Sequence, residues 1–234
     1  MFHVKHRSVQ QWLVCNTGED MTPDNANEAI GEDEPTDTQL SEVFGAKAGL
    51  VREYHDLLAT TGLQWGLLGP REAERLWCRH ILNSAAIAPL VPERASVLDV
   101  GSGAGLPGIP LALARPDLQV TLLDSLLRRA KFLQLAVDSL GLGDRVTVVR
   151  ARAEETSVIH DVVVSRAVAP LAKLVQWCEP LMRSYLVALK GETAQAEVAD
   201  AGAVLQRRKL YAQLVTLETV AGCESATAVM VTRR

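Results

Sequence analysis

The spacing of apolar residues divides the chain into three regions. Residues 8–38 contain no basic residue, few large apolar side chains and several turn formers, so we expect residues 1–38 to form a disordered acidic tail. From residue 39 the apolar positions recur at three- and four-residue steps, as in amphipathic helices. They are Val43, Leu50, Val51, Tyr54, Leu57 and Leu58. After a Gly/Pro break, a second amphipathic helix is predicted over 72–86, so residues 39–90 are predicted to form a helical cap.

Beyond residue 90 the period changes, and short β-rich runs alternate with helical stretches. The predicted strands are 96–100, 119–124, 145–150, 161–165 and 184–189. The predicted helices run to 114, over 126–140, to 178 and over 193–205. Two further strands, near 210–220 and 226–232, follow each other without a helix between them. This order predicts an α/β domain over 91–234, with a mainly parallel, doubly wound sheet that ends in a hairpin.

Charge is unevenly distributed along the chain. The net charge is −4, but residues 1–38 carry eight of the 28 acidic side chains and only two basic ones. Residues 39–234 therefore carry 20 acidic and 22 basic side chains, a net charge of +2. A slightly basic body can bind a polyanion such as RNA, although an ordinary protein surface would also have this charge.

The spacing of the cysteines and the lengths of the apolar runs indicate in which cellular compartment the protein is expected. The cysteines Cys15, Cys78, Cys178 and Cys223 form no CxxC pair, and no histidine lies at metal-ligand spacing from them. We therefore expect four free thiols in a reducing compartment, and no metal site. No apolar run is long enough to cross a bilayer, and residues 1–7 lack the apolar core of a secretory signal. A cytoplasmic protein without membrane association is expected.

The sharpest local motif follows the first predicted strand. Residues 97–105 read Val-Leu-Asp-Val-Gly-Ser-Gly-Ala-Gly, so glycines alternate in a loop that leads to Pro107 at the start of a helix. A dinucleotide fingerprint would need a glycine at position 106, where this chain has Leu106. Asp124 ends the next predicted strand, where a carboxylate can accept both ribose hydroxyl protons. Loop and acid together predict a nucleoside cofactor at the carboxyl edge of the sheet.

The residues around the loop indicate which cofactor and which acceptor the protein uses. Asp99 precedes it by two positions, and this acidic-x-Gly-x-Gly-x-Gly pattern resembles motif I of class I methyltransferases, which implies that the loop wraps the amino-acid end of S-adenosylmethionine. Residues 165–170 read Ser-Arg-Ala-Val-Ala-Pro, not the Asp/Asn-Pro-Pro-aromatic run usual in enzymes for exocyclic amines. No cysteine has the Pro-Cys or Thr-Cys setting of ring-carbon enzymes. By elimination, this suggests an acceptor with an in-plane lone pair, such as guanine N7.

Five stretches of the chain together resemble the RsmG/GidB family. They are residues 76–83 (LWCRHILN), 99–110 (DVGSGAGLPGIP), 122–133 (LLDSLLRRAKFL), 165–167 (SRA) and 188–191 (ALKG), in the family's order and spacing. The resemblance covers about residues 45–234. It implies a class I S-adenosylmethionine-dependent methyltransferase, with a Rossmann-like, seven-stranded, mostly parallel sheet and an N-terminal helical extension. It also implies N7-methylation of guanine 527 in the 530 loop of 16S rRNA, in the small ribosomal subunit.

Positions that match the family's motifs imply the residues of the site. The expected cofactor-binding residues are Asp99, Gly101, Gly103, Gly105, Leu106, Asp124, Ala153, Glu154 and Arg166. Among them, Glu154 is expected as a buried acid that reads the adenine amine, with a helix-terminal acid as the alternative. Arg166 and Lys190 are the expected catalytic residues, Arg166 as a donor that orients guanine O6 and Lys190 at the carboxyl edge of the fifth strand.

Basic residues around the same edge are candidates for RNA contacts. They are Arg79, His80, Arg128, Arg129 and Lys131. Guanidinium groups suit phosphates and can stack on a splayed base. The alternatives are a solvated helix face for residues 128–131 and a packed histidine for His80. Two other functions stay open, a small-molecule methyltransferase and a non-catalytic RNA-binding protein on the same fold, and the chain is expected to act as a monomer.

Overall fold

A seven-stranded sheet forms the centre of residues 34–233, the part of the chain that the computed structural model describes. The strands are β1 (Ser96–Val100), β2 (Gln119–Leu123), β3 (Val146–Val149), β4 (His160–Arg166), β5 (Met182–Lys190), β6 (Leu210–Leu217) and β7 (Ala226–Arg233). Their order in the sheet is β3-β2-β1-β4-β5-β7-β6. Strands β1 to β5 run parallel, and β7 is antiparallel to both of its neighbours. The predicted α/β fold, with a mainly parallel sheet that ends in a hairpin, is confirmed.

Residues 34–90, here called the N-terminal segment, begin with the helices α1 (Asp37–Phe44) and α2 (Ala48–Leu57). Thr36 caps the first of them: its hydroxyl accepts the amide hydrogen of Gln39 over 3.2 Å, and the Gln39 side chain accepts the Thr36 amide hydrogen over 2.9 Å. Residues 34–38, expected in the disordered tail, are therefore part of the fold. The rest of that predicted tail, residues 1–33, lies outside the described residues.

The second predicted helix, over 72–86, is wrong in its detail. The chain instead forms a 3-10 turn (Pro70–Arg75), a π-helical stretch (Leu76–Leu82) and a short helix α3 (Asn83–Ala85). The buried apolar residues of the π-helical stretch are Leu76, Trp77, Ile81 and Leu82. In a π-helix the backbone hydrogen bonds join residues five positions apart, whereas in an α-helix they join residues four apart.

Five further helices cover the sheet: α4 (Gly108–Ala114), α5 (Leu127–Ser139), α6 (Leu171–Cys178), α7 (Ala194–Asp200) and α8 (Gly202–Arg207). On one face, α6, α7 and α8 pack in a cluster with strand residues such as Leu98 and Val163. On the other face, α4 contacts β2 and the N-terminal helices α1, α2 and α3. Phe132 of α5 lies edge-on to Trp65, with 6.2 Å between the ring centroids. The N-terminal segment therefore packs against α4 and α5.

The predicted cap, residues 39–90, and the predicted core, residues 91–234, belong to one compact unit. The cap contributes fully buried side chains, among them Leu40, Val51 and Leu58. Within residues 34–233, no helix combines the length and hydropathy that a membrane span requires.

The expectation of a free thiol is wrong for two of the four cysteines. Cys78 in the π-helical stretch and Cys223 in the β6–β7 connection form a disulfide, with their Cα atoms 5.2 Å apart. The bonded residues are 145 positions apart, so their spacing in the sequence gave no sign that the fold brings them together. Cys178 is a buried free thiol, as expected. Cys15 lies outside the described residues.

Candidate cofactor and substrate site

The glycine loop, residues 101–105, connects β1 to α4 at the carboxyl edge of the sheet. Its glycines Gly101, Gly103 and Gly105 have φ angles of +73°, +60° and +99°, a region that L side chains rarely adopt. The Gly101 amide donates to the carbonyl oxygen of Leu123 over 2.8 Å, which bends the loop over the end of β2. A Cβ on Gly101 would come within 2.5 Å of Val168 Cγ2, so that position has no room for a side chain.

Asp124, directly after β2, lies against this loop. Its Oδ2 accepts the Gly103 amide hydrogen over 3.0 Å, and its Oδ1 accepts that of Leu126 over 2.9 Å. A Cβ on Gly103 would meet no atom nearer than 3.8 Å, so this side of the loop faces open space. Arg129 Nη1 also donates to Oδ2 over 3.4 Å, so Oδ1 keeps a lone pair for a ribose hydroxyl. The structure thus brings the predicted loop and the predicted acid together.

Asp99 lies beneath the loop and is fully buried. Its Oδ2 accepts the amide hydrogen of Gly108, the first residue of α4, over 2.9 Å. Its Oδ1 is buried and has no hydrogen-bond partner among residues 34–233. Burial raises the pKa of the Asp99 carboxyl to about 7, and the nearby charge of Asp124 adds to this rise. A cationic ligand group such as an ammonium would supply the partner that this carboxylate lacks.

Arg166, at the end of β4, is held by the N-terminal segment. Its Nη1 donates to the carbonyl oxygen of His80 over 3.0 Å and to Ser84 Oγ over 3.1 Å, and its Nη2 donates to the carbonyl oxygen of Arg79 over 2.9 Å. Burial lowers the pKa of Arg166 to about 10, so the guanidinium stays charged at neutral pH. The Nη donors of Arg166 therefore hold residues 79–84, and its part as a donor that orients guanine O6 stays a prediction.

His80 is the partner of Arg166 on that segment, and it is buried. Its Nδ1 lies 2.8 Å from Arg166 Nη2, which can only donate, so Nδ1 accepts and Nε2 carries the proton that bonds Glu72. Burial and the charge of Arg166 lower the pKa of His80 to about 4. Of the two interpretations made from the sequence, the structure favours the packed histidine.

The ammonium group of Lys190, at the end of β5, likewise bonds groups of the protein itself. Its side chain is 5% exposed, and its Nζ lies 2.7 Å from the carbonyl oxygen of Ala169 and 2.7 Å from Glu197 Oε2. The same Glu197 oxygen accepts the amide hydrogen of Leu171 over 2.8 Å. Lys190 therefore holds the β4–α6 loop, in which Ala167 has a left-handed φ of +52°.

The predicted adenine-side pair follows β3. Ala153 is buried, whereas Glu154 is exposed in the first turn of a 3-10 helix (Ala153–Glu155). The expectation that Glu154 is a buried acid is wrong, and the alternative of an acid at a helix terminus fits its position. Leu106, the predicted loop contact, is buried at 7% exposure.

The predicted RNA-facing side chains lie on the outside, apart from His80. Arg79 is half exposed, with its Nε 3.5 Å from Glu72 Oε2. Arg128 is exposed and lies over the turn of the N-terminal segment, since its Nη1 is 3.8 Å from a Cβ placed on Gly66. Arg129 is 41% exposed and lies 3.4 Å from Asp124, and Lys131 is exposed. RNA contact by these residues stays a prediction.

Two residues of the site escaped the sequence analysis. Tyr54 was assigned to the core by its helical spacing, yet its hydroxyl bonds the glycine loop at Ala104. Gly108 starts α4 so close to the sheet that a Cβ there would lie 2.7 Å from Asp99 Oδ2. The second glycine of the GLPGIP run was the available signal for Gly108, whereas the sequence carries no such signal for Tyr54.

The sheet order, the reversed last strand, the glycine loop and the acid after β2 define a class I S-adenosylmethionine-dependent methyltransferase. Solved structures share this fold. Magnesium protoporphyrin IX methyltransferase from Synechocystis with bound SAM aligns with a TM-score of 0.54 and 16% identity, over 80% of this chain and 97% of that one. TYW2 from M. jannaschii, in complex with AdoMet, aligns with a TM-score of 0.53 and 16% identity, over 68% and 78%. At these identities the likeness concerns the fold alone.

Proteins found by sequence comparison are much more similar to this chain than these solved structures are. A protein-family model described as rRNA small subunit methyltransferase G (GidB) matches residues 48–224. Ribosomal RNA small subunit methyltransferase G of Mycobacterium marinum is 52% identical over 180 residues, which cover 74% of this chain and 78% of that protein. Its counterpart in Mycobacterium leprae is 45% identical over 227 residues, 94% of this chain and 85% of that protein. The chain belongs to the rRNA small subunit methyltransferase G family, as the RsmG/GidB resemblance predicted.

Proposed function

We propose that this protein methylates N7 of guanine 527 in the 530 loop of 16S rRNA, with S-adenosylmethionine as the methyl donor and the small ribosomal subunit as the substrate. One observation carries the proposal. In a chain that the family model matches over residues 48–224, the glycine loop, Asp124 and the unpaired oxygen of Asp99 meet at the carboxyl edge of the sheet. We further propose that it works as a monomer in the cytoplasm, without a metal.

The residues present fit this cofactor. Asp99 Oδ1 lacks a partner among residues 34–233, and we propose that the ammonium group of the cofactor's amino-acid end bonds it. Asp124 would accept the ribose hydroxyls while it keeps the loop in place through Gly103. Buried Leu106 and Ala153 offer apolar contacts, and Glu154 lies at the rim of the adenine side. When bound, S-adenosylmethionine supplies an electrophilic methyl group on a sulfonium centre.

The chain's part in the reaction is mainly to align the acceptor. Guanine N7 already has an in-plane lone pair, so no side chain has to remove a proton before transfer. The guanine has to leave its stack, which costs a few kcal/mol. Arg166 and Lys190 act in this proposal through the backbone that they hold, residues 79–84 and the β4–α6 loop. These two segments would border the acceptor guanine.

The exposed basic residues would hold the RNA backbone around that position. Arg79, Arg128, Arg129 and Lys131 provide guanidinium and ammonium groups for phosphates, and a guanidinium can also stack on a splayed base. The product guanine gains a positive charge, so these groups serve better at the phosphates than around the ring itself.

The decisive experiment combines cofactor titration with methyl transfer. Calorimetry measures S-adenosylmethionine binding, and transfer is measured to small subunits, to naked 16S rRNA and to a small-molecule extract, with the product base mapped by mass spectrometry. We expect binding, transfer to the small subunit, and 7-methylguanine at position 527. Transfer only to small molecules, or subunit binding without transfer, would support the two alternative functions and overturn this one.

A charge-matched pair of variants tests the RNA surface. Arg128→Ala with Lys131→Ala should weaken binding to the subunit and reduce its salt dependence, because two phosphate contacts are lost. Arg207→Ala with Lys209→Ala removes the same charge at the end of α8 and should change neither. Equal effects in both pairs would remove residues 128–131 from the RNA surface.

A further inference from the structure

Tyr54 of α2 joins the N-terminal segment to the middle of the glycine loop. Its side chain is fully buried, and its hydroxyl donates to the carbonyl oxygen of Ala104 over 2.8 Å. A Cβ placed on Gly105 would lie 2.9 Å from the same hydroxyl. The end of the phenol ring therefore rests directly against the loop.

Two amides of the loop are held from the side of the sheet. The amide of Gly101 donates to Leu123 over 2.8 Å, and the amide of Gly103 donates to Asp124 over 3.0 Å. The carbonyl oxygen of Ala104 differs, because its only side-chain donor among residues 34–233 is the Tyr54 hydroxyl. This bond holds the loop from the side opposite the sheet, because Tyr54 belongs to the N-terminal segment.

The electrostatic surroundings keep this hydroxyl a donor. Burial raises the pKa of Tyr54 well above its ordinary value, and the charge of Asp99 raises it further. The proton therefore stays on the hydroxyl throughout the neutral range. Because Ala104 is also buried, its carbonyl oxygen would lose its partner if the hydroxyl were removed.

We propose that Tyr54 is a positioning residue for the cofactor: its hydroxyl holds the Ala104 carbonyl and so keeps residues 103–105 in the conformation that receives S-adenosylmethionine. The inference rests on the proposed function, since it takes that molecule as the ligand of the loop. It also gives the N-terminal segment a part in cofactor binding, in addition to its contact with Arg166.

The chain offers a matched control for the test. Tyr185 on β5 is 8% exposed, and its hydroxyl also donates to a backbone carbonyl oxygen, that of Leu90, over 2.6 Å. Tyr54→Phe and Tyr185→Phe therefore each remove one buried hydrogen bond of the same kind. Only the first bond ends on the glycine loop. Thermal unfolding without cofactor should show similar losses of stability in the two variants.

Calorimetry and steady-state kinetics then separate positioning from stability. We expect Tyr54→Phe to raise the Kd and the KM for S-adenosylmethionine about tenfold, the equivalent of one lost hydrogen bond, while kcat at saturating cofactor stays within about twofold. Tyr185→Phe should bind the cofactor as the unsubstituted protein does. Equal Kd values for Tyr54→Phe and the unsubstituted protein, or equal weakening in both variants, would overturn the inference.

The same measurements distinguish failure of this inference from failure of the proposed function. If the unsubstituted protein bound no S-adenosylmethionine, both would be overturned. If it bound the cofactor but did not methylate rRNA, the proposed substrate would be wrong, and the comparison of Kd values would still decide the part played by Tyr54.

Discussion

Arg166 donates twice to His80: Nη1 bonds its backbone carbonyl oxygen over 3.0 Å, and Nη2 bonds its Nδ1 over 2.8 Å. The two residues are 86 positions apart in the chain. This contact joins the end of β4 to the π-helical stretch of the N-terminal segment. It directs the second nitrogen of the imidazole, with its proton, towards Glu72.

The first prediction concerns the removal of this guanidinium. Arg166→Ala should lower the free energy of unfolding by about 2–4 kcal/mol, because several acceptors, most of them partly buried, lose a charged donor. We expect the variant to lose methylation as well as stability. Urea unfolding and methyl transfer to the small subunit measure the two effects.

Arg166→Lys serves as the control for charge. Lysine keeps the positive charge but cannot reproduce the planar fork that reaches His80, Ser84 and Arg79 together. We expect this variant to recover part of the stability and little of the methylation. If the Arg166→Ala protein were as stable as the unsubstituted one, Arg166 would not stabilise the fold through its bonds to residues 79–84.

The second prediction follows from the raised pKa of Asp99. The pKa of this carboxyl is about 7 in the folded protein, against an ordinary value of 3.8. Between these values the folded state binds the proton more tightly, so the stability that the group contributes is full at low pH and is lost as the pH rises through about 7. Asp99→Asn removes this loss, and its stability relative to the unsubstituted protein should therefore increase by a few kcal/mol between pH 5 and pH 8. Urea unfolding at the two pH values measures the difference.

The difference between the two proteins is the proper readout, because His80 titrates in the opposite sense. The pKa of His80 is about 4, below its ordinary value of 6.5, so the stability that His80 contributes is present above pH 6.5 and is lost as the pH falls towards 4. At pH 8 the Asp99→Asn variant should also bind S-adenosylmethionine at least about tenfold more weakly, because a neutral amide attracts a cation less. A difference in stability between the two proteins that did not change in favour of the variant from pH 5 to pH 8 would contradict the assignment.

The sequence predicted best what depends on neighbouring residues and on general rules of sheet topology. The alternation of strands and helices is local, and the meeting of the glycine loop with Asp124 follows from the parallel strands β1 and β2 ending at one edge. The partners of Arg166 and Lys190 could not be predicted in this way. A charged residue at a strand end can face a ligand or hold a backbone segment. The packing of the N-terminal segment decides this for Arg166, and the packing of the β4–α6 loop and of Glu197 on α7 decides it for Lys190.

The third prediction separates a structural from a chemical part for Lys190. Lys190→Met alone leaves Glu197 partly buried without its cation, which should cost several kcal/mol, about 3–5 for a broken buried pair. Lys190→Met with Glu197→Gln removes both charges and keeps an oxygen for the Leu171 amide. We expect the double variant to regain most of the stability and, with it, most of the methylation.

The comparison of single and double variants decides the question. Thermal unfolding shows whether the fold has recovered, and transfer to the small subunit is measured at a temperature where all three proteins are folded. If the double variant were as stable as the unsubstituted protein and yet inactive, the ammonium itself would contact the substrate.

The fourth prediction concerns the Cys78–Cys223 disulfide, which closes a loop of 145 positions between the N-terminal segment and the β6–β7 connection. A cross-link over so long a loop reduces the entropy of the unfolded chain, an effect of about 4–5 kcal/mol. Reduction with dithiothreitol should therefore lower the free energy of unfolding, and Cys78→Ser with Cys223→Ser should lower it by a similar amount. The double variant should not respond to the reductant in this way, since it lacks the bridge between Cys78 and Cys223. A reductant that left the stability of the unsubstituted protein unchanged would show that the bridge contributes nothing to it.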